Sequence, residues 1–300
     1  MWFIAAFTGY FLLATVVILD KFILTKSVSK PIVYTFYSTI FMFGALLAWP
    51  LGVEFLRGID WIWAIFSGIT FGFGLWALFI AMRKGEASHI SPFNGAIVTI
   101  ATYSLSSYFL GEKLSQLQIV GIAVLVFASL LLSFEKSRKN DGFHIGFVWA
   151  AVSGFLFAIS HVSAKYLYEL YPFITGFVWT RAFVGLVGLF TLMYPSVRRT
   201  FKKRQQNAKK EKKKHTALLV ISNKILGVLA VVLIQYSASV GSVSLAVALS
   251  GLQFVLVFII IYMFTLFAPK LFKEYFTKRE FVVEMIAIIL VVFGSALFVI

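Results

Sequence analysis

Cysteine is absent from the 300 residues, which excludes disulfides, thiolate metal sites and thiol nucleophiles but leaves the compartment open. Charge is scarce as well: Asp, Glu, Lys and Arg together make up 13% of the chain. The histidines, His89, His144, His161 and His215, are too scattered for a metal-ligand set at helical spacing. No HExxH, Gly-x-Ser-x-Gly elbow, P-loop or paired intramembrane aspartates occur. The chain is therefore read as a non-enzyme with no metal and no cofactor. An ATP-driven pump would need a nucleotide domain supplied by another subunit. Residues 1–19 lack the basic n-region and A-x-A site of a signal peptide and read as a first spanning helix.

What the chain has is apolar length. Hydrophobic residues make up 60% of it and the mean hydropathy is +0.93, values that exclude an ordinary soluble domain. A helix rising 1.5 Å per residue needs ~20 apolar residues to cross a bilayer core ~30 Å thick. Ten runs approach that length: 2–19, 31–51, 61–82, 87–110, 116–134, 145–167, 173–194, 217–236, 240–267 and 281–299. Continuous runs, rather than alternation every second residue, select helices over a barrel. The expected fold is an all-α polytopic membrane protein with ten transmembrane helices.

The net charge of +15 has a placement that points to topology rather than to nucleic acid. Of 27 Lys and Arg, 22 lie in or beside alternate connections, ten of them in 198–214 (RRTFKKRQQNAKKEKKK). The intervening connections hold only Arg57 and Lys113. Basic connections stay cytoplasmic, so both termini are expected outside a cell membrane that the chain crosses many times. The 198–214 segment reads as a solvated topology signal; an anionic-lipid or nucleic-acid patch is its other reading. With one aromatic residue, Phe201, it offers no stacking platform for bases.

The chain divides at 135–141 (EKSRKND) into halves of five runs each, expected at 1–135 and 142–300, with the basic loop at 196–216. An odd number of crossings makes the second half enter the membrane in the opposite sense, as an inverted repeat requires. Residue matches support the division. Gly85, Ser88 and Gly95 recur as Gly241, Ser244 and Gly251 at one offset, Glu112 matches Glu274, and Gly9, Lys21 and Pro31 match Gly154, Lys165 and Pro172.

These paired halves, the Ala81-x-x-x-Gly85 step and the GEKLS segment at 111–115 resemble EamA-type transporters of the drug/metabolite transporter (DMT) superfamily. The resemblance spans nearly the whole chain in two copies. It implies ten helices and alternating-access movement of small metabolites, without naming a substrate. The chain departs from the family in three ways. Gly111 has no glycine counterpart because 268–272 intervenes, the basic connection after the seventh run is long, and family members generally have cytoplasmic termini.

Ionisable groups inside a spanning run cost ~2.5–3.5 kcal/mol at the helix centre, so they are functional candidates by default. Arg181, near the middle of run seven, can grip a carboxylate or phosphate with two parallel hydrogen bonds. Its structural reading is a guanidinium tied to carbonyls or to an acid. Lys224 in run eight could meet an anion, or snorkel toward the basic side. His161 could relay a proton or simply bond a neighbouring helix. Asn223, Asn94, Tyr103 and Gln253 are candidate cavity polars, and Trp179 is deep enough to line a cavity. Glu112 and Glu274 read as helix-end or gating groups.

With Arg181, Lys224 and His161 inside and no obvious buried acid beside them, the expected cargo is anionic or zwitterionic, such as an amino or organic acid. The expected function is secondary active transport, with a flippase or membrane enzyme acting on an anionic lipid-linked substrate as the alternative. The expected partners are that small-molecule substrate, the lipid bilayer and a coupling proton or ion, with no nucleic acid. Ten helices suffice to enclose a pathway in one chain, so a monomer or a homodimer fits.

Overall fold

The computed structural model describes residues 1–26, 30–85, 87–133, 144–204, 210–267 and 278–299. The expected break at 135–141, the insertion at 268–272, Glu274 and the side chain of Lys21 lie outside the described residues. Every described segment is helical in its body, because a backbone in lipid must satisfy its own N–H and C=O groups. In chain order the helices are α1 (Trp2–Lys26), α2 (Pro31–Ile40), α3 (Asp60–Lys84), α4 (Ala87–Phe109), α5 (Gln116–Ser133) and α6 (Ile145–Leu170). They continue as α7 (Phe173–Thr191), α8 (Pro195–Arg204), α9 (Lys210–Val240), α10 (Val243–Ala248), α11 (Ser250–Phe267) and α12 (Lys278–Ala296). The protein is an all-α polytopic membrane protein.

Eight segments among the described residues are long and apolar enough to cross a membrane. The two expected runs outside that set are nonetheless helical. The fourth, α4, carries Ser91, Asn94, Thr99, Thr102 and Ser106 along its length. The tenth contributes an apolar stretch of Phe281–Ala296, short for a full crossing. Run two crosses as two geometries: α2 gives way at Ile40 to a 3-10 helix, Phe41–Leu51, which contains Pro50 and has no fully buried residue. Run nine is likewise broken, between α10 and α11 at Leu249.

Helix pairing is regular. The third crossing packs on the sixth (α3 on α6) as the eighth packs on the first (α9 on α1). The fourth packs on the sixth as the ninth packs on the first, while α5 lies on α12 and α2 on α7. These pairs exchange with one another, or map onto themselves, when the first five expected runs are swapped for the last five, whereas the α3–α7 seam has no comparable α2–α9 seam among the described residues. Small residues permit the closest approaches. A Cβ at Gly68 of α3 would sit 2.4 Å from Phe183 Cβ and 2.7 Å from the Thr180 carbonyl oxygen of α7. One at Gly188 of α7 would sit 2.9 Å from the Ile40 backbone nitrogen.

The outer surface is apolar, with Ile4, Leu47, Ile62, Phe127 and Ile289 exposed as lipid-facing side chains would be. The core is made of several clusters, one of which buries Leu125 of α5, Leu249 after α10 and Val291 of α12. The basic segment after α7 begins as α8, which docks by burying Val197 against Val33 and Phe36 of α2. Arg198 Nε donates to the Leu192 carbonyl at 2.7 Å. The side chains of 201–220 lie outside the described residues.

Candidate functional site

A cavity of ≈ 270 Å³ is lined by residues from both sides of the expected division at 135–141. Its wall takes Tyr10 to Asp20 of α1, Phe71 to Met82 of α3 and Asn223 to Gln235 of α9, with Ser38, Phe41, Asn94, His161 and Gln253 from other elements. Those stretches of α1, α3 and α9 are the ones nearer the basic connections: Lys21 and Lys26 follow the first, Arg83 and Lys84 end the second, and 198–214 precedes the third. The cavity therefore runs from mid-membrane toward the basic face.

At the opposite face the elements are tied together. The Tyr10 hydroxyl donates to the Ala246 carbonyl at 2.9 Å. Glu112 accepts from Ser106 and from Ser244, joining the end of α4 to the start of α10. Lys165 donates to the Gly241 carbonyl at 2.9 Å and lies 3.7 Å from Glu169. These contacts give Glu112 and Lys165 fastening roles outside the cavity.

Five of the eight sequence candidates meet at the cavity. Lys224 projects from α9 onto three partners: Ser38 Oγ at 3.0 Å, the Tyr34 hydroxyl at 3.3 Å and Asp20 Oδ1 at 3.8 Å. Asn223 donates to the same carboxylate oxygen at 2.5 Å, and the Tyr34 hydroxyl also donates to it. His161 Nδ1 lies 3.1 Å from Gln235 Nε2, and the Gln235 Oε1 accepts from the Tyr168 hydroxyl at 3.0 Å. Asn94 donates to the Ala150 carbonyl at 2.8 Å, fixing its amide between α4 and α6. Gln253 lines the cavity from α11.

Three candidates lie elsewhere. Arg181 is 1% exposed and outside the wall; its guanidinium sits 4.4 Å from the centre of the Phe71 ring and 5.7 Å from that of Phe177. Phe71 itself lines the cavity, so Arg181 forms a second layer behind it. Tyr168 and His161 lie within its electrostatic reach, while its Nε and Nη1 are buried with no hydrogen-bond partner. Tyr103 packs against the α5–α12 core. Trp179 belongs to an aromatic cluster, 4.6 Å from Trp61 and 5.8 Å from Trp49, with its indole N–H on the Glu54 carbonyl at 2.8 Å. Its amphipathic ring suits a membrane–water boundary.

The expectation of cations with no acid beside them is corrected by Asp20. It falls one residue beyond the apolar run 2–19, yet α1 continues to Lys26 and carries Asp20 into the wall. Gln235 was the other omission. A polar residue at the end of run eight is the available signal, and its polar partners come from α6, far away in sequence.

Residues 1–134 match the EamA-like transporter family. An uncharacterized transporter encoded in the cobO 3′ region of Sinorhizobium sp. is 32% identical over 79 residues, covering 26% of this chain and 55% of that protein. The match thus spans about half the length of that relative. A crystal structure, described only as that of a protein, superposes with a TM-score of 0.70 over 99% of this chain and 97% of its own, at 17% identity. That likeness is one of fold. A membrane-crossing helical bundle is thus similar, over its first 134 residues, to the EamA-like transporter family.

Proposed function

We propose that the protein is a secondary active transporter that carries a small anionic or zwitterionic metabolite, such as an amino or organic acid, by alternating access. The observation that carries this reading is the cavity, walled by both halves and bearing Lys224, Asn223, His161, Asn94 and Gln253. Its ≈ 270 Å³ lies just below the ~300–1,000 Å³ typical of small-molecule sites. That size suits one small metabolite better than a lipid-linked carrier.

In this reading the halves, 1–135 and 142–300, are inverted five-helix repeats that rock about the cavity. The exchange-symmetric helix pairing supports it. The basic connections face the cytoplasm, so the cavity is in its cytoplasm-facing state and the Tyr10, Glu112 and Lys165 contacts close the far side. A thermal-shift screen of metabolites on purified protein, followed by flux in proteoliposomes, tests the reading. A ligand that raises the apparent melting temperature, crosses the membrane and is lost with Lys224→Ala is the expected result. Ligands that bind without ever crossing sealed vesicles would contradict it.

A further inference from the structure

The cavity's charged wall is an internal ion pair. Of the three N–H donors of Lys224, two are taken by Ser38 and Tyr34, while Asp20 at 3.8 Å is held as an ion-pair partner beyond hydrogen-bond reach. An anion arriving from the cavity competes with Asp20 for the ammonium, because Asp20 is its most distant partner and carries the same charge as the incoming group. Once the ammonium turns away, Asp20 faces only the neutral donors Tyr34 and Asn223 among the described residues. A carboxylate in membrane surroundings without a cation is costly, and a proton removes that cost.

One further atom fits this exchange. Asn223 donates its Nδ2 to Asp20 Oδ1, but its own Oδ1 is buried with no hydrogen-bond partner. Buried acceptors are normally satisfied. An ionised Asp20 has no hydrogen to give it, whereas a protonated Asp20 does. The acid and the amide would then be joined by two hydrogen bonds, N–H to carboxyl oxygen and O–H to amide oxygen. The charge balance agrees. Asp20 and Lys224 sum to zero, and they are the ionised side chains of the wall among the described residues. A monoanion entering alone adds one negative charge to the membrane interior; entering with a proton, it adds none. The other titratable groups that face the pair or share its cavity among the described residues are Tyr34 from α2, Tyr10 from α1 and His161 across the space; Arg181 lies behind Phe71.

We propose that Asp20 and Lys224 form an exchange site, in which a carboxylate or sulfonate of the substrate takes Asp20's place on the ammonium while Asp20 accepts one proton from solvent, so that one proton travels with each anionic group. This rests on the transport reading but can fail separately from it. No covalent bond forms: the proton moves from water to Asp20 and is held between Asp20 and Asn223 Oδ1.

Infrared difference spectroscopy on the full chain in lipid discs tests it, with methanesulfonate as a probe that stays charged across the neutral range. Binding should produce a protonated-carboxyl C=O band that Asp20→Asn abolishes. Affinity should fall about tenfold per pH unit above the range in which Asp20 protonates, and become flat in Asp20→Asn. Without any ligand, Lys224→Gln should show the same carboxyl band at neutral pH, and Asp20→Asn/Lys224→Gln should lack it. The proposal is overturned if methanesulfonate fails to bind, if it binds without the band, or if Asp20→Asn keeps the wild-type pH slope. Absence of flux in vesicles would sink the transport reading and leave these spectroscopic results standing.

Discussion

The Arg181 guanidinium rests 4.4 Å from the centre of the Phe71 ring, and that ring is part of the cavity wall from which Arg181 itself is excluded. Two of its nitrogens are buried without a hydrogen-bond partner. Each unmet group costs about 1–3 kcal/mol, which the cation–π contact, worth roughly 2 kcal/mol when desolvated, offsets only in part. A group that lowers stability in this way is usually retained for function. Arg181→Met should therefore raise the apparent melting temperature by a few degrees while reducing flux at least tenfold. Measuring both on one preparation separates this from a structural role, in which stability and flux would fall together.

The Asp20–Lys224 pair makes the opposite prediction for stability. Its side chains are 16% and 18% exposed, so neither charge is well hydrated. Removing one partner of a buried pair typically costs about 3–5 kcal/mol, because the other is left uncompensated. The residual exposure and the 3.8 Å separation place the cost of Lys224→Gln toward about 2–3 kcal/mol. Adding Asp20→Asn to it should recover at least half of that loss, as read by a double-mutant cycle on thermal inactivation. Additive losses would mean that the two side chains do not interact.

Much of this arrangement is legible in the sequence, and the illegible part has a common cause. Apolar length alone locates the helices, since lipid imposes that length on any spanning segment. It does not fix which side of a helix meets the cavity, because both lipid and protein interior accept apolar side chains. Tyr103 and Trp179 are plausible cavity residues by depth, yet their helices turn them toward the α5–α12 core and the Trp49–Trp61 cluster. Asp20 illustrates the reverse error. A charge at the edge of an apolar run looks like its terminator, but partners 14 and more than 200 residues away, Tyr34, Asn223 and Lys224, hold it as part of the wall. The 3-10 stretch Phe41–Leu51 carries no sequence mark beyond Pro50 near its end.

The α3–α7 seam offers a packing test. Gly68 is fully enclosed there by Phe183 and the Thr180 carbonyl, with no flexible side-chain tip able to yield. Overpacking of this kind costs about 1–3 kcal/mol and shifts backbone. Gly68→Val should thus lower thermal stability by that amount and diminish flux, whereas Gly44→Val, with no neighbour within 4 Å, should change stability little. Equal behaviour of the two variants in a thermal-aggregation assay would mean that the seam is not closely packed.

Orientation can be decided directly, because the chain contains no cysteine to give background labelling. The basic connections follow the odd-numbered runs, and Arg57 and Lys113, in connections after even-numbered runs, are expected on the other side of the membrane. Charge bias acts on insertion itself, retaining Lys- and Arg-rich connections in the cytoplasm. A cysteine at Lys113 or Arg57 should react with a membrane-impermeant maleimide on intact cells. One at Lys209 or Lys139 should react only after permeabilisation. The reverse pattern would place the termini in the cytoplasm, as the resemblance to EamA-type transporters implies, and would turn the cavity to face outward.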